Sequence, residues 1–115
     1  MKRVAVAVML AGMIGDLAGC HHIDPPTPIA QLNQGQTLGY MVFQTHCEIC
    51  HYERLDQPKN GPALVGIFKK PYLPSGAPAN EERVTATILH GRGLMPAQNL
   101  GPDELAALLA YLHTV

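Results

Sequence analysis

Charge is scarce in this sequence and nearly cancels. Only 15% of the residues are charged, eight Lys and Arg against nine Asp and Glu, for a net charge of −1. With no basic patch, nucleic acid is not an expected partner, and long-range steering of any charged partner is weak. Long apolar runs are missing too. The apolar stretch at residues 4–14 has 11 residues, where a helix spanning a bilayer needs about 20. Cysteines number three, too few for a disulfide framework of the kind that holds small secreted domains together. No segment alternates with strand period for long enough to argue a sheet, and there is neither an internal repeat nor a low-complexity tract beyond one Pro-rich stretch.

What is present at the amino terminus has the layout of an export signal. Lys2 and Arg3 precede the apolar stretch, and Leu17-Ala18-Gly19-Cys20 follows it. Leu-Ala-Gly-Cys resembles a bacterial lipobox, which implies removal of residues 1–19, lipidation of the Cys20 thiol and acylation of the new amino terminus. The alternative is an ordinary secreted protein with a free Cys20. Asp24-Pro25-Pro26-Thr27-Pro28 lies just beyond and favours an extended tether over residues 20–33. The folded domain is then expected at 34–115. A domain that small has a thin core of its own.

Cys47-Glu48-Ile49-Cys50-His51 is the densest chemical signal. Two thiols three positions apart, followed at once by an imidazole, is the spacing that attaches a haem covalently through its two vinyl groups, with His51 beneath the iron. A redox dithiol or half of a zinc site are the competing readings of Cys-x-x-Cys, but no βαβ pattern precedes it and no second ligand pair follows at zinc-finger spacing. A haem would also supply the centre that a thin core lacks.

Three helices frame the motif. Asn33 and Gln36 form a candidate capping box, and Leu38, Met41, Val42 and Thr45 follow a helical period into Cys47, with Met41 expected in the core. A second helix is expected to start at the N-cap Asn80, with Glu81 and Glu82 in its first turn, Val84, Thr87 and Ile88 facing inward, and Gly91 ending it. The third starts at Pro102 and carries the stripe Leu105, Leu108, Leu109 and Leu112. Between His51 and Asn80 the density of Pro and Gly forbids a long regular element, so that stretch must wrap something.

From about Gly35 to Val115 the chain resembles the small class I, mitochondrial-type cytochromes c with His and Met axial ligands. Gly39 and Phe43, and Leu108 and Tyr111, stand where that family packs its first helix against its last. Asn60-Gly61-Pro62-Ala63-Leu64-Val65-Gly66 resembles the family's Gly-Pro-x-Leu-x-Gly loop, whose proline carbonyl accepts a hydrogen bond from the proximal imidazole. Gly91-Arg92-Gly93-Leu94-Met95-Pro96 resembles the loop that delivers the second axial ligand. The resemblance implies an all-α fold of three main helices around one covalently bound haem c, with Cys47 and Cys50 attaching it, His51 and Met95 ligating iron, and Pro62 orienting His51.

A thioether is a soft neutral ligand that favours ferrous iron, and iron held by two side chains has no open position. The function implied is therefore that of a one-electron carrier rather than an enzyme, exchanging electrons with an oxidase, reductase or dehydrogenase from an extracytoplasmic membrane surface to which Cys20 anchors it. The alternative is a haem sensor or weak peroxidase in which Met95 is displaced. Met95 as a simple core residue, and His90 as the sixth ligand, are the competing readings at that position. His46 and His113 are expected at the surface, and His21 and His22 in the tether. Arg92, Tyr72 and Lys69 are candidates to bond the haem propionates. Residues 69–79, which extend the loop beyond that of the shortest family members, would cover a haem edge, form a docking surface or merely close the fold.

Overall fold

In a computed structural model, residues 22–115 are described; the expected signal peptide, Cys20 and His21 lie outside them. The elements in chain order are a 3₁₀ turn at Ile29–Gln31 and three helices, α1 (Gln34–His46), α2 (Glu81–His90) and α3 (Pro102–Leu112). There is no strand among the described residues, and residues 51–79 form turns and isolated bridges only.

Each helix begins where local chemistry satisfies its exposed amides. At α1 the Gln36 amide donates to Asn33 Oδ1 and the Asn33 amide to Gln36 Oε1, both at 2.9 Å. At α2 Asn80 Oδ1 accepts from the Arg83 amide at 2.9 Å, and Glu81 and Glu82 sit against the positive end of the helix. Gly101 precedes α3, donating its amide to Glu104 Oε2 at 2.9 Å, with Pro102 in the first turn. Gly91 closes α2 with φ +73°, and a side chain there would also meet Met95 O at 2.6 Å.

The core is built on the crossing of α1 and α3. Phe43, Leu108 and Tyr111 are fully buried, and the Tyr111 ring meets Tyr40 edge-on at 5.4 Å and Phe43 at 6.0 Å. Gly39 makes the crossing possible, because a Cβ on it would fall 1.9 Å from Ala107 O and 2.7 Å from Tyr111 Cβ. Val84 and Ile88 of α2 and Leu112 of α3 complete the cluster. His113 links the ends of α3 and α2 through a 2.7 Å contact with Glu81, while its ring stacks on Phe68 at 4.0 Å.

Two expectations are corrected. The buried face of α1 is Gly39 and Phe43, not the stripe containing Leu38, Met41 and Thr45; Leu38 is 51% and Met41 58% exposed. A hydrophobicity pattern scores a glycine as empty, yet the helix packs through its glycine, where backbone meets backbone. The second correction concerns the segment before Asn33. Residues 22–28 form no helix or strand and the 3₁₀ turn follows, and the segment is docked on the domain: Thr27 N–H donates to Thr114 O at 2.7 Å, Arg54 Nη2 donates to Thr27 O at 2.7 Å, and Lys69 Nζ donates to Asp24 O at 3.2 Å. Prolines hold such a segment open, and open carbonyls are acceptors that a cationic side chain can use.

Candidate cofactor site

The two thiols sit on one turn at the end of α1. Cys47 caps the helix, donating its amide to Phe43 O at 2.8 Å, and the amides of Cys50 and His51 both converge on Cys47 O at 3.0 Å. No disulfide joins the thiols, and both are half-buried. Burial, then the charge of Glu53 and the neighbouring Cys50, push the Cys47 thiol up to about 11. A redox dithiol needs a thiol shifted the other way, so the folded environment disfavours that reading.

His51 is 8% exposed. Its Nδ1 donates to Pro62 O at 2.8 Å, which fixes the tautomer and leaves the Nε2 lone pair free for a metal. The loop that supplies the carbonyl is pressed against the ring, since a Cβ on Gly61 would lie 2.4 Å from His51 Cε1. It is held there by Gly61 N–H to Cys50 O at 2.7 Å, Leu64 N–H to Tyr52 O at 2.8 Å and Lys59 Nζ to Glu48 O at 2.7 Å. The structure thus brings Cys47, Cys50, His51 and Pro62 together.

Met95 is half-buried and packs against the same core cluster as Cys47 and Leu64. Its loop is a tight turn in which Arg92 and Met95 exchange both backbone hydrogen bonds at 2.9 Å, with Gly93 at φ +56° between them. Gln98 N–H to Ile88 O at 2.8 Å ties the far side of the loop to α2. Leu94, at the tip, is wholly exposed. His90 is exposed on the last turn of α2, His46 is half-buried on the last turn of α1, and Arg92 and Tyr72 are exposed. Lys69 is half-buried and occupied with Asp24 O.

Two residues that the sequence pattern did not single out complete the surroundings. Glu53 is buried, with Oε1 accepting from the Tyr111 hydroxyl at 3.0 Å. Burial first, and then the Glu53 charge, raise the Tyr111 phenol far above its ordinary value, while Arg54 opposes them. A Glu-Arg dipeptide in a loop reads as solvated surface; only the fold reveals that one member is buried.

The donor set suits a c-type haem: two unpaired thiols on one turn, an imidazole with a free Nε2, and a neutral thioether on a stiff loop. Among the described residues no group of three or more His, Cys, Asp or Glu could hold a metal ion alone. The family model described as cytochrome c oxidase, cbb3-type, subunit III matches residues 34–112. The chain belongs to this family. Comparison with the curated proteins returns no match. As a cbb3-type cytochrome c domain, the chain has an all-α fold and carries covalently bound haem c, whose iron accepts and releases one electron. Its role is electron transfer with redox partners, and the domain is not by itself a catalyst.

Proposed function

We propose that the protein is a monohaem one-electron carrier anchored to a membrane surface through lipidated Cys20, passing electrons between respiratory or dehydrogenase partners in the periplasm or an equivalent extracytoplasmic space. Cys47 and Cys50 attach the haem, His51 and Met95 are the axial ligands, and Pro62 orients His51. The observation that carries the reading is the His51 Nδ1 to Pro62 O hydrogen bond at 2.8 Å beneath a loop that tolerates only glycine at position 61. That bond commits the imidazole to ligation through Nε2 and raises its basicity.

Met95, half-buried on a loop pinned at both ends, suits the opposite position better than exposed His90. Two side-chain ligands leave iron no vacant site, so oxidation state changes with little rearrangement and small molecules do not compete. The leader layout of residues 1–20 supports export and the anchor; no helix of the described residues is long and apolar enough to cross a membrane. The test is the spectrum of reduced protein with and without carbon monoxide at neutral pH. The expected result is no rapid adduct; prompt adduct formation would mean a displaceable sixth ligand and a ligand-binding haem protein.

A further inference from the structure

The docked amino-terminal segment determines how the domain sits on its membrane. A free tether from Cys20 to Asn33 would let the domain range about 45 Å from the anchor at about 3.5 Å per residue. The structure removes most of that length. Ile23 already packs against the domain, its Cγ2 only 2.6 Å from where a side chain on Gly66 would begin, and Gly66 has φ +67°. Asp24 O is held by Lys69 Nζ at 3.2 Å. Thr27 is clamped on both sides, its N–H to Thr114 O and its carbonyl from Arg54, each at 2.7 Å. Ile23 is three positions from Cys20, a reach of about 11 Å at most.

The surface beside this docking point is amphiphilic. The Lys69 and Lys70 amides both donate to Gly66 O, at 2.9 and 3.1 Å, which places the two lysines next to Ile23. Tyr72 follows, 64% exposed, between the exposed Pro71 and Pro74. A tyrosine with cationic neighbours, set in a stiff Pro-rich loop, is chemistry that suits the headgroup layer of a bilayer.

We infer that the face formed by Ile23, Lys70, Tyr72 and Pro74 lies on the lipid surface, so that the cytochrome is held close to the bilayer in one orientation rather than ranging on a flexible leash. This rests on lipidation of Cys20. The occupant of the face is the bilayer itself, with Lys70 opposite headgroup phosphates and the Tyr72 ring among the headgroups. The consequence is mechanistic: the haem is presented at one height and angle, which suits a partner embedded in the same membrane.

The test uses full-length, lipid-processed holoprotein on vesicles of phosphatidylethanolamine and phosphatidylglycerol, read by flotation and by hydroxyl-radical footprinting. Tyr72 oxidation is normalised to that of exposed Leu94. The wild type is expected to float with Tyr72 oxidation several-fold below that of lipid-free Cys20→Ser protein. A strap-released variant, Ile23→Asp with Thr27→Pro, is expected to float equally and to regain Tyr72 oxidation, with an unchanged haem spectrum. Failure of the wild type to float would remove the anchor and this inference with it. Flotation with Tyr72 oxidised as in the Cys20→Ser protein would overturn the inference and leave the anchor standing. Protection that persists in the strap-released variant would also overturn it, because the strap would not be what orients the domain.

Discussion

Single atoms decide most of the chemistry around the motif. Met95 contributes one sulfur, and its replacement has a definite electrochemical consequence if it ligates iron. In Met95→Ala the reduction potential should fall by on the order of a hundred millivolts, a fraction of the roughly 0.8 V that axial ligands command, and the ferric thioether-to-iron band should vanish; potentiometric titration followed by absorbance reads both. An unchanged potential and band would exclude Met95. The Tyr111 hydroxyl is a second decisive atom, because it is the hydrogen-bond donor to buried Glu53. Tyr111→Phe should cost about 1–3 kcal/mol at neutral pH by leaving that carboxylate short of a partner. The pH dependence has a definite sign. The folded state holds the phenol proton more tightly than the unfolded chain does, so the stability it contributes is complete below pH 10, the phenol's ordinary value, and is lost as pH rises beyond it. Denaturant titrations should show the wild type losing up to about 1.4 kcal/mol per pH unit more than Tyr111→Phe in that alkaline range.

At the scale of elements, the helices were legible and their packing was only half legible. Asn33, Asn80 and Pro102 announce three helix starts because capping acts within four residues. The face that α1 buries is not legible in a hydrophobic period, because its key residue, Gly39, has no side chain to register, although the spacing of Gly39 and Phe43 before Cys47 points to that face through family resemblance. Gly39→Ala tests the crossing directly. With a methyl group 1.9 Å from Ala107 O, α1 and α3 must separate, and a loss of about 3 kcal/mol or more is expected in chemical denaturation, toward the upper end of overpacking costs. A cost below about 1 kcal/mol would show that the two backbones part easily. The Gly61-Pro62 loop is the other element whose meaning depends on contact: family resemblance points to its place beside the His51 ring, and the fold adds that the ring leaves no room for a side chain at Gly61.

For the molecule as a whole, stability and function share one centre. The buried hydrophobic cluster is small, with Phe43, Leu108, Tyr111 and Val115 as its largest fully buried side chains, and the loops at residues 51–79 contain no regular element. A chain of this kind depends on its cofactor for cohesion. The Cys47→Ser, Cys50→Ser double variant, unable to attach haem through thioethers, should lose haem on a denaturing gel and show markedly lower helicity with a broadened thermal transition by circular dichroism; a sharp transition at the wild-type temperature would show that the polypeptide folds without covalent haem. Sequence by itself determined the Cys47 to His51 spacing, the starts of the three helices and the glycine-flanked loop around Met95, because each is encoded by residues close together in the chain. Tertiary structure alone decided that Glu53 is buried under Tyr111 and that the Pro-rich segment is a strap rather than a leash. Those outcomes join residues 58 and 87 positions apart, as Glu53 to Tyr111 and Thr27 to Thr114, and such pairings are fixed by where α3 packs, not by any local pattern.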